Sequence, residues 1–286
     1  RWKVMLAVDD YGSFTRAAEA LGYTQSGVTQ MMKALEKEVG FSLFIKGKKG
    51  AALTPEAQSL IPAVRALLSA DEVVRQEISA LKGAPTGTIT IGTYLSCSIH
   101  WIPEIIQKFQ ESHPNIVFKV IEGAEDDLPD WIQERRVDIG FLSHQEGHHF
   151  QFLPVMDDEL FAVLPKGHSL EDCSAVPMEK FTGAPFVTTE YAPGSDIYRI
   201  LKEFHIKPDI RFLSINEFSV LSMVEHGLGV TILPGLLLRG QTGSFVKRRL
   251  EPRSFRRLGL GYSSYDDLSP ASRIFLEYAK SFLLDD

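Results

Sequence analysis

SFTRAAEALGYTQSGVTQMMKALEKEV, residues 13–39, decides the fold of the first part of this 286-residue chain. Ser13 is placed to cap a short helix through Leu21, whose apolar side is Phe14, Ala17, Ala18 and Leu21 at three- and four-residue spacing. Gly22 suits the exit of that helix, because glycine takes a left-handed backbone without a Cβ clash. Thr24 caps a further helix to about Val39, with Val28, Met31 or Met32, Leu35 and Val39 on one side. The opposite side carries Gln25, Ser26, Thr29, Gln30 and Lys33. Two short helices joined by a tight glycine-containing turn make a helix-turn-helix. Upstream, Val4, Val8 and Tyr11 repeat at helical spacing before Gly12. Downstream, residues 41–45 read as a strand, 46–50 as a turn and 51–53 as the return strand, which adds a wing.

The polar side of the helix from Gln25 has a chemical meaning. A DNA major groove shows each base pair as a distinct pattern of donors and acceptors. Gln25 and Gln30 suit bidentate hydrogen bonds to adenine, and Ser26 and Thr29 suit bases or phosphate. Lys46, Lys48 and Lys49 in the wing would meet the phosphate backbone as point charges. Charge is distributed to match. Residues 1–60 carry eight basic and six acidic side chains, whereas the remainder carries 22 and 31. The net charge of −7 argues against a nonspecific nucleic-acid coat and leaves a small basic amino-terminal module.

Thr54, Pro55 and Glu56 then start a long helix that is expected to end at Gly83, with Pro62 within it. Ala57, Leu60, Val64, Leu67, Asp71, Val74, Ile78 and Leu81 follow at alternating spacings of three and four, a heptad seam with one polar break. Leu60, Val64, Leu67, Val74, Ile78 and Leu81 are therefore candidate dimerisation residues. The alternative is a helix lying on its own domain's core. Residues 84–87 read as a hinge. Beyond it, expected strands at 88–92, 116–121, 137–142, 161–164, 185–188 and 210–213 alternate with helices around Ile102 to Phe109, 128–135 and 217–226. A glycine turn then leads into a buried strand ending at Pro234. Repeated strand–helix units imply one or two open α/β sheets.

The chain resembles the LysR-type transcriptional regulators. Residues 13–21 carry the resemblance, with Gln25, Ser26, Gly27, Val28 and Thr29, then Leu35-Glu36, Leu43-Phe44 and Leu53-Thr54. In the second part it rests on Val137-Asp138-Ile139-Gly140, residues 165–170, Gly227-Leu228-Gly229-Val230 and Leu233-Pro234. The resemblance implies a winged helix-turn-helix at 1–58, a dimerising linker helix and hinge at 59–87, and an effector-binding domain at 88–286. That domain would be periplasmic-binding-protein-like, with lobe I at 88–161 and 268–286, and lobe II at 162–267. It also implies promoter DNA as partner, a homodimer or homotetramer, and a small effector between the lobes. Gln30, Lys46 and Lys49 stand where arginine is frequent in the family, which removes bidentate guanidinium geometry. Gly27 stands where proline or alanine is common.

In two-lobed α/β folds, ligands meet the loops at the carboxyl ends of strands. By the resemblance, Tyr94, Ser96, Cys97 and Ser143 fall at pocket positions, with Thr188, Thr189 and Glu190 facing them and Asn216 and Thr231 as further candidates. The hydroxyls and amides of residues 93–98 would suit a carboxylate or other anion, whereas Glu190 favours a ligand bearing an amine. His144, His148 and His149 lack the regularity of a metal site, and Cys97 and Cys173 form no metal spacing, so no metal and no cofactor are expected. No P-loop, Gly-x-Ser-x-Gly, dinucleotide fingerprint or His-Glu-x-x-His occurs, so an enzyme is not expected. A solute-binding receptor of the same two-lobed fold is the other alternative. No apolar run approaches the ~20 residues of a membrane span and no secretion signal is visible, so a cytoplasmic location is expected.

Overall fold

A computed structural model describes residues 1–286 except Lys48, Lys49, 82–85, Glu146, His148, 190–193, Ile215 and Asp286. For Lys46, Gly47, Ala80 and Asp285 it describes the backbone alone. The chain divides into two compact units, Arg1–Ile78 and Ser79–Asp286.

The first unit contains α1 (Trp2–Tyr11), α2 (Phe14–Leu21), α3 (Gln25–Val39), β1 (Phe44–Gly47), β2 (Gly50–Leu53) and most of α4 (Pro55–Leu81). Ser13 Oγ accepts from the Arg16 N–H and Thr24 Oγ1 from the Gly27 N–H, so both expected caps form. Gly12, Gly22 and Gly40 end the first three helices in left-handed conformations. Val4, Met5, Val8, Ala17, Ala18, Val28, Met32, Leu35, Leu43 and Leu53 make one core, which Ala57, Ile61 and Val64 of α4 complete. The first wing strand starts later than expected. Leu43 is buried, its N–H donates to Glu36 Oε1 at 2.8 Å and its carbonyl accepts from the Thr54 N–H at 2.9 Å. The ladder runs from Phe44↔Leu53 to Gly47↔Gly50, and the Thr54–Leu43 bond continues its register by one pair.

The expected seam of α4 divides in two. Val64 is buried in the unit's own core, contrary to expectation, and Leu60 packs half-buried against that core. Leu67, Val74, Ile78 and Leu81 are exposed. The helix runs through Pro62, and the hinge residues Ala84 and Pro85 lie outside the described residues.

The second unit holds β3 (Gly87–Thr93), α5 (Leu95–His100), α6 (Ile102–Ser112), β4 (Ile116–Glu122), α7 (Asp127–Gln133), β5 (Ile139–Ser143), β6 (Gln151–Pro165), β7 (Ala175–Pro177), β8 (Pro185–Thr188), α8 (Asp196–Glu203), β9 (Asp209–Leu213), α9 (Glu217–Glu225), β10 (Thr231–Pro234), α10 (Gly235–Leu238), β11 (Phe245–Tyr262) and α11 (Pro270–Asp285). The main sheet has the order β10-β6-β11-β5-β3-β4, with β7 beside β11. β8 and β9 pair in parallel, and Phe186 bridges to Val230 just before β10.

β6 and β11 are antiparallel to each other and tie two cores together. Ile89, Ile91, Ile105, Phe109, Ile139, Phe141, Leu258, Leu260 and Phe275 belong to the first core. Leu160, Ala162, Leu164, Phe186, Leu201, Ile232 and Leu250 belong to the second. Each core is one lobe. The expected lobe boundary after residue 267 is therefore too late, because Leu258 and Leu260 of β11 already pack in lobe I. Thr93 and Ser143 end parallel neighbours β3 and β5, so the loops after them meet at one edge of lobe I, facing lobe II.

Candidate functional site

In the first unit the two sides of α3 have opposite fates. Val28, Met32 and Leu35 are buried, whereas Gln25, Ser26, Gln30 and Lys33 are exposed. Thr29 is half-buried, and its hydroxyl donates to the Gln25 carbonyl at 2.9 Å. That bond uses its one proton inside the helix and leaves it only as an acceptor. A groove of about 880 Å³ lies between α2, α3 and the wing, lined in part by Arg16, Thr29, Lys33 and Ala51. Arg16 is an exposed cation beside α3 that the stripe pattern did not single out, since it belongs to the preceding helix. Lys46 pairs with Ala51 through the backbone of the wing, and Lys48 and Lys49 lie outside the described residues.

In the second unit a cleft of about 500 Å³ opens between the lobes. Tyr94, Leu95, Glu122, Glu125 and Asp127 line it from lobe I, and Thr189, Ser195, Ile197, Asn216 and Glu217 from lobe II, with Arg256 of β11 between them. Arg256 is the buried centre of this arrangement. Its Nε donates to Asp158 Oδ2 at 3.0 Å, and its Nη2 donates to Ser96 Oγ at 2.7 Å. The other carboxylate oxygen of Asp158 accepts the Leu236 N–H at 2.8 Å, so both oxygens of the buried carboxylate are hydrogen-bonded. The guanidinium stays charged, held above its ordinary pKa by Asp158 and then Asp196 against the effect of burial.

One rim of the cleft is bridged. Ser143 Oγ donates to Asp196 Oδ1 at 2.9 Å, and Gln145 Nε2 donates to the Gly194 carbonyl at 2.8 Å. The Asp196 N–H donates to Glu125 Oε2, which links the lobes a third time. Asn216 caps α9, its Oδ1 accepting from the Phe218 and Ser219 N–H groups.

Of the expected effector residues, Tyr94, Thr189 and Asn216 line the cleft. Ser96 and Ser143 stand behind it, holding Arg256 and Asp196. Cys97, Thr188 and Thr231 are corrections: each is fully buried and none lines the cavity. Cys97 packs in the lobe I core, and burial pushes its thiol up to about 12, which removes thiolate chemistry at neutral pH. Glu190 lies outside the described residues. Two hydroxyls of the expected anion-suited segment are engaged elsewhere, Ser98 donating to Glu122 and Thr93 to the Tyr94 carbonyl, while Ser96 accepts from Arg256. Arg256 and the carboxylates were missed. The available signal was the pair of charged runs Asp157-Asp158-Glu159 and Arg256-Arg257, which meet in strand register as Arg256↔Asp158 and Arg257↔Asp157.

Among the described residues, no group of three or more His, Cys, Asp or Glu is placed to hold a metal ion. His144 stacks edge-on against Phe152, and His148 lies outside the described residues. No described helix is long and apolar enough to cross a membrane.

A winged helix-turn-helix with an exposed polar helix face, on one chain with a two-lobed unit and its cleft, defines a DNA-binding protein that responds to a small ligand. The chain belongs to the LysR family of bacterial transcriptional regulators: residues 1–58 match the lysR-family bacterial regulatory helix-turn-helix model, and 82–283 the LysR substrate binding domain. It is similar to the HTH-type transcriptional regulator YvbU of Bacillus subtilis (strain 168), at 28% identity over 97% of this chain and 96% of that one. A full-length OxyR cysteine variant from Pseudomonas aeruginosa superposes with a TM-score of 0.73 at 18% identity, covering 98% of this chain and 96% of that one. CbnR, a LysR family regulator, superposes at 0.70 with 16% identity, covering 100% and 98%. The chain is thus a ligand-responsive transcriptional regulator whose partners are double-stranded DNA, a small-molecule effector and further copies of itself, as a dimer or tetramer.

Proposed function

We propose that α3 reads the operator with Gln25, Ser26 and Gln30, that Lys33, Arg16 and the wing lysines Lys46, Lys48 and Lys49 hold the phosphates, and that Thr29 accepts a bond from DNA. The observation that carries this is the division of α3, with its apolar side buried and its amide-and-lysine side exposed. In this reading residues 1–58 form the DNA-binding domain, 59–87 the linker and 88–286 the effector-binding domain. A ligand in the cleft makes contacts that differ between two arrangements of the lobes and so shifts their populations. Chemistry on the ligand forms no part of the mechanism, and the protein acts in the cytoplasm, where its DNA is.

The test is a gel shift with the duplex upstream of the protein's own gene, against a scrambled duplex. Gln25→Ala should lower the preference for the natural duplex by about 1–3 kcal/mol, the scale of one bidentate base contact, and leave affinity for the scrambled duplex nearly unchanged. An unchanged preference would remove Gln25 from base reading.

A further inference from the structure

The cleft has the wrong charge for an anion. Glu122, Glu125, Asp127 and Glu217 line it against a single described cation, Arg256. Arg256 is already committed to Asp158 and Ser96, and the Arg256 and Asp158 side chains are each only 4% exposed. Glu122 accepts from the Ser98 hydroxyl at 2.6 Å, and Asp127 from the Ala124 N–H at 3.2 Å, both neutral donors. Among the described residues, Glu122, Asp127 and Glu217 take part in no salt bridge. The start of α9, where an anion would otherwise be welcome, holds the Asn216 cap and the Glu217 carboxylate itself.

An independent observation comes from one buried polar atom beside the cleft. Tyr94 lines the cleft and is 4% exposed, and the backbone of Ser143 bonds its hydroxyl. Asp196 is 2% exposed and flanked by the cleft residues Ser195 and Ile197. Ser143 and Arg199 both bond its Oδ1, while its other carboxylate oxygen, Oδ2, has no partner among the described residues. A buried acceptor without a donor is destabilising, the more so when it is charged. What Asp196 Oδ2 is short of is a donor and positive charge. A carboxylate or phosphate ligand would bring neither, whereas an ammonium or guanidinium brings both. A bare divalent ion is a poorer fit, because no three carboxylates converge among the described residues.

We infer that the cleft takes a small organic cation, an ammonium or guanidinium on a short apolar body, with Glu122, Asp127 and Glu217 facing its charge and Leu95 and Ile197 covering its carbons. The inference rests on the reading of this cleft as the effector site. A cavity of about 500 Å³ accommodates such a molecule, within the usual range for small-ligand pockets.

The experiment uses the full-length protein and probes that share a skeleton but differ in charge: 1,5-diaminopentane against glutarate, benzamidine against benzoate, and agmatine as a guanidinium. Thermal shift and titration calorimetry at about 0.15 M salt keep nonspecific surface attraction low. At least one cation should raise Tm by several degrees while its anionic counterpart does not. Glu122→Gln and Glu217→Gln should each weaken that cation about tenfold, as expected when one charge partner is removed. The assignment is overturned if an anion stabilises the protein and its matched cation does not. Silence of all three cations up to about 10 mM, a Kd corresponding to less than 3 kcal/mol, overturns it too, as does cation binding that neither variant changes. A gel shift on the same preparation reports the regulator reading separately. A protein that retards its duplex but takes only anions loses the cation and keeps the cleft.

Discussion

Glu217 opens α9 inside the cleft, and its carboxyl is raised above its ordinary pKa, first by burial and further by Glu122, while its own N–H and Arg256 pull the other way. A carboxyl whose pKa is higher in the folded chain binds more protons there than in the unfolded one. Stability from this group is therefore greatest at low pH and falls as pH rises from the ordinary carboxylate range through the raised value. At neutral pH the ligand-free protein carries that cost. Glu217→Gln removes it, so the variant should melt about 1–3 °C above wild type at pH 7.5 and level with it near pH 4, followed by differential scanning fluorimetry. A variant less stable at both pH values would show that Glu217 acts as a structural cap instead. Arg256 and Asp158 are the opposite case at the same scale, since each buried charge has the other as its partner inside the fold. Removing either would strand a buried charge, at about 3–5 kcal/mol.

At the scale of elements, the wing is positioned by one close approach. The Ala51 N–H donates to the Gly12 carbonyl at 3.0 Å, so β2 is bonded to the turn between α1 and α2. Gly50 has φ +121, and a Cβ there would sit 2.3 Å from the Gly12 oxygen. Gly50→Ala should push the hairpin off that turn. We expect DNA affinity in fluorescence anisotropy to drop about tenfold, with thermal stability lowered by about 1–2 kcal/mol and helicity unchanged. Full affinity in this variant would detach wing placement from binding. The helices of this unit were legible in the sequence because their caps and apolar spacing are local: Ser13, Thr24 and Gly22 act within a few residues. β6 and β11 were not, apart from residues 161–164. Asp157, Asp158 and Glu159 interrupt one, and Arg256 and Arg257 the other, so each run alone reads as a solvated loop. Their alternation makes sense only after pairing, when Arg256–Asp158 turns inward and Arg257–Asp157 outward. The cleft was half legible for the same reason. Tyr94, Thr189 and Asn216 follow strand ends or open a helix, whereas Arg256 arrives from a strand about 160 residues away from its Ser96 partner.

At the scale of the whole molecule, α4 joins a buried first half to a second half with exposed apolar residues. Its first turns complete the DNA-binding unit through Ala57, Ile61 and Val64, which leaves them nothing to offer a second chain. Farther along, Leu67, Val74, Ile78 and Leu81 stay exposed, Leu81 at 88%. They recur at spacings of seven, four and three, and carry apolar surface that water meets at a cost of roughly 25 cal/mol per Å². A second α4 would cover them, so the oligomer should depend on the later half of the helix and the stability of the DNA-binding unit on the earlier half. Leu67→Asp places a charge on that seam, one turn before Asp71, where it would face its own copy. The dissociation constant of the dimer, measured by analytical ultracentrifugation, should rise more than about a hundredfold, some 3 kcal/mol, and gel-shift affinity should fall with it because one recognition helix reads only half a site. Val64→Ala is the counterpart. It opens a cavity in a closed core and should lower the melting temperature of the DNA-binding unit by the equivalent of about 1–2 kcal/mol while leaving the oligomer intact. If Val64→Ala dissociated the protein and Leu67→Asp did not, the division of labour along the helix would be the reverse of the one its burial describes.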